Sequence, residues 1–376
     1  MTKNIEEITL IMDMMREYEK VDEIFQAGNY WKYYENNLIK QISNNDLKYF
    51  RAWSGGSGVG NIQSFHGGEL ELTRHFKRNF HPFDRFFLGF DNNFIVKKYN
   101  NFLNFLSVYV SFLKFFLLRA SEARNYFKES MNNNLELKYE LVKAIDIDLL
   151  TISDSKFGGP IGIDVDDKFY TNKFLDCLID ISTIKKKINL TEIKTILEIG
   201  AGIGSLASCF LKINSNLKYI IVDIPPILFF SEYYLKNLGF RVFGYSDHKN
   251  DDILNISKII EEYDVVCLPT WKINQINIDF DMFVNVHSFQ EMEKSQSKYY
   301  LEKIKNFNCK YLFLKNEILG MKKASKVGDF GVLDPSTLDH LEEIISSDYK
   351  KIFYKNKITD EIKGRVVYSN IYERVN

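Results

Sequence analysis

The spacing of apolar positions changes once along this chain. Near the start, Ile5, Ile8, Ile11, Met12, Met15 and Tyr18 recur at helical spacing, which predicts a helix with one buried face. A second helical run covers residues 30–50, and the same spacing returns over residues 69–149, rich in Phe and Tyr. Between them, RAWSGGSGVGNIQSFHGGE holds Gly55, Gly56, Gly58, Gly60, Gly67 and Gly68, a density that disfavours regular structure and predicts a loop. From about residue 193 the pattern shifts to short β-branched runs alternating with amphipathic stretches. The predicted strands are 195–199 (TILEI), 218–223 (KYIIVD), 264–268 (DVVCL), 281–286 (DMFVNV), 310–314 (KYLFL), 350–354 (KKIFY) and 365–371 (RVVYSNI). Strands separated by helices imply βαβ units and a parallel, doubly wound sheet. The last two runs are too close for a crossover helix and predict an antiparallel hairpin instead. A run at 241–245 is an eighth candidate and leaves the third strand ambiguous. The expected architecture is a mainly α domain over residues 1–150, then an α/β domain over 151–376 with a seven-stranded mixed sheet.

Composition narrows the function classes. The 376 residues carry a net charge of -1, with 45% hydrophobic and 26% charged, which excludes a disordered chain. Near-neutral charge argues against a nucleic-acid partner held by bulk electrostatics. Cys177, Cys209, Cys267 and Cys309 lack metal-site spacing and are too few for a disulfide framework, so a reducing compartment is expected. The polar N-terminus shows no signal-peptide pattern. The most apolar stretch, residues 102–118, contains Asn104, Ser107, Ser111 and Lys114. These make a bilayer span costly, so a buried helix or a homo-oligomer interface is expected in a cytoplasmic protein. Aromatic residues reach 15%, which AT-rich codons alone can produce, although Trp53 and Trp271 could also serve as stacking platforms.

The segment ILEIGAGIG, residues 196–204, is the most informative. A strand ends at Ile199, and Gly200-Ala201-Gly202-Ile203-Gly204 leads into a helix-forming run. Gly200 and Gly202 permit a tight turn and close backbone approach to a ligand. The spacing is G-x-G-x-G; Ser205 stands where a dinucleotide fingerprint needs its third glycine, which argues against an NAD- or FAD-dependent oxidoreductase. With Glu198 before the turn, the segment resembles motif I of Rossmann-like S-adenosylmethionine (SAM) methyltransferases. KYIIVD ends in Asp223, where a strand-end carboxylate can accept both ribose hydroxyls.

A narrower resemblance rests on three further segments. They are Asp223-Ile224-Pro225-Pro226, Phe157-Gly158-Gly159-Pro160-Ile161-Gly162 with Phe169-Tyr170-Thr171, and Asn285-Val286-His287-Ser288-Phe289-Gln290-Glu291-Met292. Together they resemble the bacterial sugar O-methyltransferase family over about residues 156–317. The resemblance implies SAM as cofactor, S-adenosylhomocysteine (SAH) as product, and a hydroxyl of a sugar or glycoconjugate as acceptor, free or nucleotide-linked. It implies that Glu198 meets the methionine amino group, that Gly200, Ala201, Gly202 and Gly204 form the cofactor turn, and that Asp223 and Ile224 border the ribose. Thr270 and Trp271 are candidates for the adenine side, with simple packing as the alternative for Trp271 and Asp247-His248 as rivals. Asn285 could approach the methionine end or be a turn residue. Tyr170 and Thr171 could cover its carboxylate or merely pack.

An alcohol needs a base during attack on a sulfonium methyl group. His287 and Glu291, just beyond the strand ending at Val286, are the candidates: His287 as base with Glu291 orienting it, or Glu291 alone. A segment turning helical at once would put them on one face. The competing reading makes Ser288 and Glu291 a capping box. His66, His75 and His81, with nearby acids, match no metal template, so a divalent ion is not supported. The glycine-rich segment could be a lid over the acceptor or a plain connector. Other acceptors, or a non-catalytic methyltransferase-like module, are the competing functions.

Overall fold

The computed structural model describes residues 5–34, 47–52, 134–249, 251, 253–360 and 365–375. Trp53, the glycine-rich segment 54–68, His66, His75, His81 and the apolar stretch 102–118 lie outside the described residues. Helix α1 (Ile5–Tyr18) buries Ile11, Met14, Met15 and Tyr18. Its inner face packs on the α/β body, while Ile5 and Met12 are exposed. A 3-10 turn covers Leu47–Ala52.

Strands β1 (Gly162–Val165) and β2 (Lys168–Thr171) form a separate hairpin that the hydrophobic pattern did not reveal. Asp166 and Asp167 turn it with φ of 47° and 59°, the left-handed pair that matches strand twist. The chain then runs directly into helix α2 (Asn172–Lys185), whose first turn is capped by the Thr171 hydroxyl accepting from Phe174 N at 3.2 Å.

The main sheet comprises β3 (Thr195–Ile199), β4 (Lys218–Asp223), β5 (Val242–Phe243), β6 (Val265–Pro269), β7 (Met282–Val286), β8 (Tyr311–Glu317), β9 (Tyr349–Asp360) and β10 (Arg365–Arg374). Helices α3 (Ser205–Ile213), α4 (Pro225–Asn237), α5 (Tyr245–His248), α6 (Ile256–Glu262), α7 (Lys294–Asn306) and α8 (Leu338–Ile345) connect these strands. The strand order is β5-β6-β4-β3-β7-β8-β10-β9. The pairs β5–β6, β6–β4, β4–β3, β3–β7 and β7–β8 are all parallel, and β10 is antiparallel to both β8 and β9. This is the expected Rossmann-like mixed sheet with its closing hairpin, but it has eight strands rather than seven. The ambiguity at the third position resolves physically. The 264–268 run lies beside β4, and the 241–245 run contributes only the two-residue edge strand β5.

The central strands read as continuous apolar runs because both faces are covered. On one face, Ile196 and Met282 pack with Leu175 and Phe210 of the helical layer. On the other, Leu197, Phe283 and Leu312 pack with Tyr300, Leu301 and Leu341. The chain proceeds outward from β3 in one direction through β4 and in the other through β7. The crevice at the carboxyl ends of β3 and β7 is therefore the topological switch point where such sheets bind ligands. Among the described residues, no helix is long and apolar enough to cross a membrane.

Candidate active site

The motif turn sits at the switch point. Gly200, Gly202 and Gly204 have φ of 75°, 65° and 78°, backbone that side chains with a Cβ avoid. A Cβ at Gly200 would collide with the side chain of Ser288, so glycine there lets the two loops meet. Gly204 starts α3 as its cap.

Asp223, at the end of β4, accepts from Gly202 N at 3.1 Å and Ile224 N at 2.8 Å. Burial pushes its carboxyl up to about 7, and nearby Glu198 adds to the rise. Glu198 is buried and accepts from Tyr219 Oη at 2.8 Å; burial raises it to about 7 as well. Asn285 is fully buried. Its Nδ2 donates to Ile199 O at 2.9 Å, and its Oδ1 accepts from Phe289 N and Asn316 Nδ2. Asn285 thus ties the motif strand to the loop after β7, with its Oδ1 and one Nδ2 hydrogen already engaged in the protein.

The segment after β7 does not turn α-helical. It makes a single 3-10 turn (Phe289–Glu291), and the α-helix begins only at Lys294 with Glu293 and Gln296 as its capping pair. Ser288 makes no side-chain capping bond, which overturns the capping-box reading. His287 and Glu291 also have different partners. His287 has φ of 62°, and its Nδ1 lies 3.4 Å from Gln290 Oε1. Burial, with Lys315 and Lys173 nearby, pushes its imidazole down to about 3. Glu291 Oε2 instead accepts from Trp31 Nε1 at 3.0 Å. Burial, reinforced by Asp223 and Glu317, pushes the Glu291 carboxyl up to about 8, against the pull of that hydrogen bond. Glu291 therefore does not orient His287.

A cavity of about 40 Å³ joins these parts. Gly200, Asp223, Ile224, Thr270, Ser288 and Glu291 form one wall, and Gln26, Ala27, Gly28 and Trp31 form the other. Residues 22–34 thus act as a strap across the crevice. Thr270 Oγ1 donates to Phe25 O at 2.6 Å, Gln296 Nε2 to Gln26 O at 2.6 Å, and Asn29 Nδ2 to Asp329 O and Gly331 O. The strap leaves far less room than the few hundred Å³ of an ordinary small-molecule site, so admitting a nucleoside requires it to shift.

The other expected residues lie elsewhere. Ala201, Gly202 and Gly204 shape the turn without lining the cavity. Trp271 packs against Tyr18, centroids 6.0 Å apart, and is not a cavity wall. The rival His248 is buried against Cys267 O and stacked on Phe243, away from the cavity. Tyr170 donates to Leu150 O, and Thr171 donates to Asp154 while capping α2, so neither hydroxyl is left for a cofactor carboxylate. Conversely, periodicity and motif spacing gave no sign of Gln26, Gly28, Trp31, Gln296 or Tyr300. Lys173 was also missed: burial lowers its ammonium, but Cys177, Asp176, Asp180 and Glu198 outweigh that and raise it, yet it forms no ion pair among the described residues. Among the described residues no His, Cys, Asp and Glu group could hold a metal ion.

No known family profile matches the chain, and no curated protein does. Among solved structures, the mitomycin 7-O-methyltransferase MmcR is similar at 13% identity and a TM-score of 0.35, over 54% of this chain and 58% of that one. The pyocyanin biosynthetic protein PhzM follows at 9% and 0.32, over 54% and 58%. The magnesium protoporphyrin IX methyltransferase ChlM from Synechocystis PCC 6803, solved with bound SAH, gives 8% and 0.37, over 67% and 99%. The chain thus spans 58% of the length of MmcR and of PhzM.

Proposed function

We propose that this chain is a SAM-dependent O-methyltransferase whose acceptor is a hydroxyl of a sugar or glycoconjugate. One observation carries the reading: a single cavity at the switch point joins Gly200 of the motif turn, the strand-end Asp223 and the half-buried carboxyl Glu291. The donor set suits an adenosyl sulfonium. Burial pushes the Glu198, Asp223 and Glu291 carboxyls up to about 7, 7 and 8, with Glu198 adding to the rise at Asp223 and Asp223 to that at Glu291, and a bound cation offsets the cost of ionising them. The sugar as acceptor rests on the sequence resemblance alone.

When bound, the cofactor supplies the activated methyl group. The turn at Gly200 brings backbone close to the ligand, and Asp223 offers its carboxylate to the ribose hydroxyls. Glu291 serves as general base for the acceptor hydroxyl. It borders the cavity, and its proton affinity lies near operating pH, where base catalysis is most effective. His287 is the weaker candidate, since an imidazole held near 3 has little affinity for the proton it would have to take. The strap of residues 22–34, lying across the crevice, excludes water from the transfer.

Transfer from tritiated SAM to a panel of free sugars, nucleotide sugars and glycan extracts tests the acceptor. Wild type should label at least one sugar, and Glu291→Gln should lose transfer while binding SAH. Labelling confined to non-sugar alcohols or phenols would replace the acceptor class. SAH binding with no transfer to any acceptor would favour a non-catalytic module, and a Glu291→Gln protein with full turnover would remove Glu291 as base.

A further inference from the structure

The strap makes one polar contact with a group of direct chemical interest. Trp31 Nε1 donates to Glu291 Oε2, while Oε1 receives no hydrogen bond among the described residues. The indole does not depend on Glu291 for its place. Tyr30 and Tyr34 meet it edge-on at centroid distances of 5.7 and 6.2 Å, and both pack against Phe330. On the other side, Gln26 O and Phe25 O are tied down by Gln296 and Thr270. A rigid donor therefore meets one oxygen of a carboxyl whose terminal torsion is otherwise soft.

We propose that Trp31 is the positioning residue for Glu291: its indole N–H fixes Oε2, so that Oε1 is the oxygen presented to the acceptor hydroxyl. This rests on Glu291 acting as the base. An indole N–H can only donate, so it binds the ionised carboxylate more strongly than the protonated form. The other groups facing Glu291 come from three elements: Asp223 at the end of β4 and Glu317 at the end of β8 disfavour its ionisation, and Lys173 on α2 favours it. Among the described residues only Trp31 hydrogen-bonds the carboxyl, so it alone supplies direction. The site is then complete only when the strap is docked, and a segment remote in sequence prepares the base.

Difference infrared spectroscopy, with Glu291→Gln as the reference, isolates the titration of the Glu291 carboxyl. Trp31→Phe should raise its midpoint by about one pH unit, the worth of one hydrogen bond to a charged group. Benzothienylalanine at position 31 keeps the two-ring shape without the N–H, and should give the same rise where Trp31→Phe disturbs folding. Either shift, in protein whose circular dichroism and thermal midpoint match wild type, supports the proposal. An unmoved midpoint in the folded isostere overturns it. Wild type that binds no SAH would defeat the methyltransferase reading and leave the Trp31 titration result standing on its own.

Discussion

Replacing Gly200 by Ala tests the motif turn without reference to any acceptor. The backbone there has φ of +75°, which costs an alanine roughly 1 kcal/mol or slightly more. The added Cβ also runs into Ser288, where both the Oγ and the Cβ stand in its way. The loop after β7 cannot yield freely, because Asn285 bonds Phe289 N at 3.0 Å and the motif strand at Ile199 O. Overpacking of this kind costs about 1–3 kcal/mol, so Gly200→Ala should lose about 2–4 kcal/mol of a total on the order of 5–15. Ser288→Gly removes the obstructing side chain. The double variant should therefore recover the overpacking part and retain only the dihedral cost. Urea denaturation by linear extrapolation reads both variants. A Gly200→Ala protein as stable as wild type, or a double variant no more stable than Gly200→Ala, would show that the turn and the loop do not meet as described.

Other outcomes follow from the same groups. Asp223→Asn keeps the shape but removes the charge proposed to face the ribose. SAH affinity by calorimetry should fall about tenfold to a hundredfold, and an unchanged affinity would remove Asp223 from the site. Glu198, Asp223 and Glu291 keep their protons to about 7, 7 and 8 in the folded chain, whereas unfolded carboxyls release theirs near 4. The folded state thus binds more protons in this range, and its stability declines as pH rises by up to ~1.4 kcal/mol per unit per group. His287, held neutral to about 3, opposes this below its unfolded value near 6.5; above it the carboxyls act alone, so stability should fall from about pH 6.5 to 7.5. Thermal unfolding at those two pH values checks the sign, and a higher midpoint at pH 7.5 would contradict it. Arg51→Met breaks a buried pair with Asp154 at 2.6 Å, and loss of such a pair costs about 3–5 kcal/mol. A loss under about 1 kcal/mol in urea would show that the 47–52 segment does not anchor on the α/β body.

What could be read from the sequence was local. Gly200, Gly202 and Gly204 announce a turn because only glycine takes their backbone cheaply, and Asp223 follows from a β-branched run ending in an acid. The β9–β10 hairpin follows from the short gap between its runs. The hairpin of β1 and β2 escaped notice because its turn uses Asp166-Asp167 rather than a glycine pair. The strap escaped notice for a different reason. Trp31 and Glu291 lie 260 residues apart, and no local period links them. His287 looked like a base because it stands at a strand end. Its burial beside Lys315 and Lys173, which weakens that role, depends on α2 and β8 folding over it. The capping-box pattern at Ser288 failed because Glu293 starts the true helix two residues after Glu291.

The long reach of the strap also orders events in folding. Asn29 closes on Gly331 across 302 residues. In an unfolded chain, such a closure costs about 3 kcal/mol more entropy than a ten-residue turn. The sheet therefore has to form before the strap can dock, and the strap should be among the first parts to open in native-state hydrogen exchange. Amides near Ala27 and Gly28 should exchange well before those of β3 and β4. Brief strap openings would expose the crevice while the sheet stays folded, giving a cofactor a route in that does not require global unfolding.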